Sequence, residues 1–222
     1  MGIISVEHTD GLFWLGRYTE RVYTTIKYFG KCFDTLIEKT NHEFDSFCKN
    51  LEIPNIYSSG DEFVYSYCFD DRNPDSILSN LMRAYDNAII LRESIGSETL
   101  AYIQLAVYDI QKAKISRAPM IELQHVSDNI LAFWGLVDDY IPDENTRNII
   151  KIGKRIERID LYARLRYSRT DMIREVSRLS GRLPRTRLEV DEPTLKRLEY
   201  LVYQNEMKYD EIVEAVESVV IL

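Results

Sequence analysis

This chain is expected to fold as an all-α protein, and three observations carry that expectation. Turn formers are scarce, with 6 Pro and 9 Gly in 222 residues, and a chain with few breakers favours long helices over many short strands. Apolar side chains recur at helical spacing, as in Leu12, Leu15, Val22, Ile26, Phe29 and Phe33, with Thr19 in register. Several prolines (Pro74, Pro119, Pro142, Pro193) stand where helices can begin, because a residue without an N–H loses nothing in a first turn. Long helices joined by short connections imply antiparallel neighbours packed as a bundle.

Taken in order, the pattern predicts a first helix from Thr9 to about Lys39, with Thr9 or Asp10 as its cap. The stretch from about 51 to 74 reads as the one long irregular segment, because it holds Pro54, Ser58-Ser59-Gly60 and Asp70-Asp71-Arg72-Asn73-Pro74. A short strand over Phe63–Phe69 fits the composition there but has no obvious partner. Asn73 as cap and Pro74 as first residue predict a helix to about Ile95. Gly96 interrupts the pattern, and Ser97 caps a helix to about Ser116. Pro119 opens one that contains Leu123, Val126, Ile130 and Phe133 and ends near Ile141; Pro142 and Asp143 start another, to about Arg166. Thr170 or Asp171 begins a shorter helix that stops before Pro184. Asp191 begins the last, with Pro193 in its first turn, which runs to near the C-terminus. One helical domain over residues 1–222 is expected.

Composition narrows the function classes. Apolar residues make up 45% and charged residues 29%, as in ordinary globular domains. No apolar run reaches the roughly 18 residues a membrane span needs, and Met1–Asp10 lacks the cationic and apolar regions of a signal peptide. Cys32, Cys48 and Cys68 are too few and odd in number for a disulfide framework, so a reducing cytoplasm is the expected compartment. The net charge of −8 hides an asymmetry. Lys151–Arg187 holds twelve basic and four acidic residues, a balance of +8, and the rest of the chain carries −16. The basic segment therefore faces either the chain's own acidic remainder or an anionic partner.

Two segments align without gaps at an offset of 137 residues. Leu12–Arg21 and Ile149–Arg158 match at Gly16/Gly153, Glu20/Glu157 and Arg21/Arg158, with Arg17/Lys154 both basic and apolar positions in register. The match suggests two related halves, each carrying a Gly-x-x-x-Glu-Arg helix. Glycine costs about 1 kcal/mol in mid-helix relative to alanine, so two in equivalent places call for a reason, and close approach of another helix backbone is the usual one. A carboxylate at the edge of an apolar stripe wants a fixed cation, which Arg supplies best. Arg17, Glu20, Arg21, Glu157 and Arg158 thus form a candidate charged cluster. It reads either as a buried ion-pair lock that fixes helix register or as a polar pocket for a charged ligand.

These motifs, together with Arg83-Ala84-Tyr85-Asp86-Asn87-Ala88, Arg92-Glu93-Ser94-Ile95 and Ser97-Glu98, resemble the alpha-E family, a bacterial all-helical domain named for its Glu-Arg motif. The resemblance spans most of the chain up to about Arg169. It implies no established activity. It does imply partners: circularly permuted ATP-grasp proteins and transglutaminase-like proteases, encoded beside or fused to such domains, in a setting of peptide or amide bond synthesis. Arg83, Asn87, Arg92 and Glu93 then read either as an extension of the ion-pair network or, through Arg83 and Arg92, as a carboxylate or phosphate site.

Other chemistry finds little support. Asp70-Asp71 precede Asn73-Pro74 and read as loop or cap residues rather than magnesium ligands, and His8, His42 and His125 have no metal-site spacing. No phosphate-binding loop, dinucleotide loop or nucleophile elbow is present. No cofactor and no metal is expected, and no catalytic residue can be named. Arg174, Arg178 and Arg182 form an i, i+4 stripe without interleaved aromatics; in an acidic chain this fits an acidic protein partner better than nucleic acid. Two functions follow: an accessory or adaptor subunit for an ATP-grasp amide ligase, or an enzyme or metabolite-binding protein that uses the Glu/Arg cluster as an anion site.

Overall fold

The computed structural model describes the backbone of residues 6–37 and 43–222 and the side chains of residues 7–31 and 44–222. Phe33 of the apolar stripe, the Lys39 end of the first helix, Cys32 and His42 lie outside the described side chains or backbone. Within the described residues the protein is all-helical: α1 (Val6–Ile37), α2 (Glu43–Leu51), α3 (Gly60–Phe69), α4 (Ile77–Ile90), α5 (Arg92–Ile95), α6 (Ser97–Ile115), α7 (Pro119–Asp139), α8 (Glu144–Arg164), α9 (Arg169–Ser180), α10 (Glu192–Tyr203) and α11 (Tyr209–Glu217). A two-residue antiparallel ladder, Glu189–Val190 with Val220–Ile221, is the only sheet among them. No described helix is long and apolar enough to cross a membrane. Of the described residues, those up to Glu20 together with Ile141–Leu222 form one compact unit, and Arg21–Tyr140 form a second, with α1 running through both.

The unit from Arg21 to Tyr140 corrects the expectation for residues 51–74. Neither a long loop nor a strand fills this stretch, because α3 occupies its middle. Ser59 caps α3 by accepting from the Glu62 N–H at 3.2 Å. Phe63, Val64, Tyr67 and Cys68 then fall on one buried face. Phe63 sits among Phe29, Phe44, Phe47, Tyr57 and Tyr67 with ring centroids 5.0–5.6 Å away, and burying that face outweighs the β-leaning composition. The start of α4 also differs. Ser76, not Asn73, caps it. Asn73 instead accepts from the Asp75 N–H at 2.9 Å and donates to the Tyr57 hydroxyl at 2.8 Å, closing the turn ahead of the helix. The helix expected to reach Ile95 breaks at Leu91 into α4 and α5. Gly96, at φ +82°, lets α6 leave in a new direction. α6 and α7 pack as an antiparallel hairpin joined by three residues, pinned by Lys112–Glu122 at 2.9 Å and Asn129–Asp109 at 2.7 Å.

In the other unit α8 lies at the centre, contacted by α9 and α11. Asp143 caps α8 by accepting from the Thr146 N–H at 2.7 Å, and Ser168 caps α9 in the place expected of Thr170 or Asp171. Thr9 and Asp10 lie inside α1 rather than at its start. The single last helix is in fact two. α10 ends at Tyr203, and residues 204–208 turn the chain so that α11 can pack on α8.

Candidate functional site

The α1–α8 crossing is built on two glycines. A Cβ placed on Gly16 would lie 2.0 Å from the Ile150 carbonyl oxygen, and one on Gly153 would lie 2.1 Å from the Phe13 carbonyl oxygen. Only residues without a Cβ allow so close an approach. The two glycines thus set the register of the side chains one turn further along.

Those side chains are charged. Glu157 on α8 accepts from Arg17 Nε on α1 at 2.6 Å. Glu20 on α1 takes a two-pronged bond from Arg158 on α8, at 2.6 Å from Nε and 2.8 Å from Nη2, the fork geometry that makes Arg–carboxylate pairs strong. Both carboxylates are sealed in, 0% and 1% exposed, and the two arginines only 14% and 12%. Arg17 also lies over the Trp14 ring, 4.8 Å from its centroid, and Trp14 stacks on Tyr18. Burial alone would lower the Arg158 guanidinium, but Glu20 and its hydrogen bonds outweigh this and hold it above its usual value. Lys154, between Gly153 and Arg155, is driven down to about 7, mainly by burial and further by Arg158, Arg155 and Lys151, with Glu20 opposing.

The remaining cluster candidates lie in the Arg21–Tyr140 unit. Arg21 acts there on the buried Tyr67 hydroxyl. Arg83 donates to the Pro74 carbonyl at 2.7 Å and faces Asn80, bracing the turn before α4. Asn87, on α4, accepts at its carbonyl from the Leu91 N–H. Arg92 is exposed and donates to Ser97 Oγ at 3.0 Å, and Glu93 is exposed beside it.

A second charged centre was missed in the sequence. Glu175 on α9 is 0% exposed and is held by four arginines: Arg155, Arg178 at 2.9 Å, Arg174 at 3.2 Å and Arg158 at 3.9 Å. Burial would raise this carboxyl, but the surrounding guanidiniums keep it below its ordinary value. The Arg stripe of α9 therefore turns partly inward: Arg174 and Arg178 grip Glu175 while about half of each side chain faces solvent. Arg182 donates to Asn148 Oδ1 on α8 at 2.9 Å. The local signal was the placement of Glu175 next to Arg174 and three residues before Arg178. Its partners from α8 could not be read from spacing.

Reactive side chains are sparse. Burial pushes the Cys48 thiol up to about 11 and Cys68 higher still, so neither supplies a thiolate at neutral pH. Among the described residues no three His, Cys, Asp or Glu side chains gather as ligands for a metal ion. Asp70 instead binds the backbone and guanidinium of Arg72.

Fold and cluster together define a helical domain in which a Glu four residues beyond each contact glycine pairs with an Arg of the other helix and so locks the two. The chain belongs to the Alpha-E family. That family's model, described as a predicted alpha-helical domain with a conserved ER motif, matches residues 8–192, and both Glu20-Arg21 and Glu157-Arg158 fall inside the match. No curated protein and no solved structure matches the chain.

Proposed function

We propose that this protein is an accessory subunit that works in the cytoplasm by docking onto a partner of the circularly permuted ATP-grasp class, in the making of an amide or peptide bond. One observation carries the reading: the Glu-Arg cluster is closed on itself. Glu20 and Glu157 are buried, and each is held by an arginine at bonding distance, which is how a structural lock is built and leaves little for a ligand to bind. The alternative, an anion or carboxylate site at this cluster, would need a substrate to displace those arginines. The chemistry is then the partner's, and this chain supplies a surface. The exposed halves of Arg174 and Arg178, with the partly buried Arg182 beside them, suit an acidic patch on that partner, since complementary charge speeds and orients association. The partner's identity rests on the family resemblance; a transglutaminase-like protease is the second candidate.

The test is calorimetry and co-elution with the permuted ATP-grasp protein of the same gene cluster, at low and high salt. Binding is expected, weaker at high salt because exposed charges are screened over about 8 Å at physiological ionic strength. The triple change Arg174→Gln, Arg178→Gln and Arg182→Gln should abolish it. Glutamine perturbs the surroundings of buried Glu175 less than glutamate would, and because Arg174 and Arg178 also hold that carboxylate, the variant's melting curve and circular dichroism must show a folded protein before lost binding counts. Absence of heat and co-elution at both salt concentrations would overturn the docking role.

A further inference from the structure

We infer that the α8–α9 edge holds a site for a phosphate-bearing small molecule, with Arg182 at its centre, Arg178 and Arg185 at its rim, and Lys151, Arg155 and Arg147 supplying charge from deeper positions. The Arg182–Asn148 bond lays the end of α9 against the early turns of α8, and the Arg155–Glu175 pair fixes the same two helices further along. Along this edge Arg147, Lys151 and Arg155 occupy successive turns of α8, and Arg178 lies between Glu175 and Arg182 in the facing segment.

Positive charge is in surplus here. Four cations, Arg155, Arg185, Arg147 and Arg178, act on Arg182, and Arg182 and Arg155 act on Lys151. Burial and these neighbours push in one direction, and they bring the Lys151 amine down to about 8. Glu175, the carboxylate that joins the two helices, is already shared among four arginines, and Asp143 at the start of α8 acts on Arg147 and Arg187. Like charges held together at half-buried positions repel in a low dielectric, and an anion from outside would relieve that repulsion. A carboxylate brings one charge and two oxygens. A phosphoryl group brings about 1.5 to 2 charges near neutral pH and three strong acceptor oxygens, a closer match to several guanidinium forks. Arg182 spends Nη1 on Asn148, and a guanidinium has further N–H donors to offer.

The inference does not depend on the docking role, and its test contains no partner protein. The purified chain is titrated with inorganic pyrophosphate at fixed ionic strength, reading melting temperature and heat. A saturable rise of about 3 °C or more is expected. Arg182→Gln with Arg185→Gln should lose it, and Lys151→Met, which removes a buried charge and keeps the fold, should weaken binding about tenfold. Arg117→Gln, an exposed arginine of the other unit, should change nothing. The site is refuted if pyrophosphate gives no saturable shift, if the Arg182/Arg185 variant retains the shift, or if citrate gives an equal shift, which would make it a general anion surface.

Discussion

At the residue scale, one missing methyl group decides whether α1 and α8 can cross. Glycine to alanine in a solvent-facing helix interior normally stabilises by up to about 1 kcal/mol. That sign should hold at Gly135 on α7, where an added Cβ meets nothing within 4 Å. It should invert at Gly16 and Gly153, where the added carbon would meet a carbonyl oxygen at 2.0–2.1 Å. There the helices must separate, and the cost should reach about 3 kcal/mol or more. Urea unfolding of the three single variants checks this. Gly16→Ala or Gly153→Ala matching wild type would show that the backbones do not touch.

At the element scale, the cluster fixes the register of α1 against α8. Glu20→Ala leaves Arg158 buried without its principal carboxylate and should destabilise by about 3–5 kcal/mol. Converting both partners, Glu20→Leu with Arg158→Met, should restore much of this, because two packed apolar side chains leave no charge uncompensated. The readout is a double-mutant cycle by chemical denaturation. A melting curve unchanged by Glu20→Ala would show that the pair contributes nothing. The same logic explains why α3 is a helix: its energy lies in the Phe63–Tyr67 face buried among neighbouring rings, not in local propensity.

For the whole molecule, buried lysines make stability depend on pH in an unusual direction. Lys154 and Lys151 titrate in the fold at about 7 and about 8, against an ordinary value of 10.5. Between those limits the unfolded chain binds more protons than the folded one, so stability rises with pH and levels off at a lower value below about pH 7. Glu20, Arg158 and Arg155 face Lys154, and Arg182 and Arg155 face Lys151. The raised thiol of Cys48 and hydroxyl of Tyr57 oppose the trend once their unfolded counterparts ionise, which confines the clean window to about pH 7–9. The net charge of −8 works against the trend too, since added negative charge favours expansion. Urea midpoints should be higher at pH 9 than at pH 7, and Lys154→Met should flatten the difference. A midpoint that falls over this interval would contradict the burial of both amines.

Sequence alone determined the helical class, most helix starts from Gly96 onward, and the Gly-x-x-x-Glu-Arg pattern. These are local or periodic properties, readable from caps, prolines and 3.6-residue spacing. It also marked Glu20 and Glu157 as carboxylates in need of arginines. Tertiary structure decided which arginines: Arg158 and Arg17, across α1 and α8 and some 140 positions apart in the chain. It likewise decided that residues 60–69 wind into α3 around an aromatic core, that the last helix breaks at residues 204–208 to reach α8, and that Glu175 draws four arginines inward. The reason is the same in each case. A partner's identity depends on which faces meet when helices pack, and no spacing along one segment encodes the side chain that another segment brings to it.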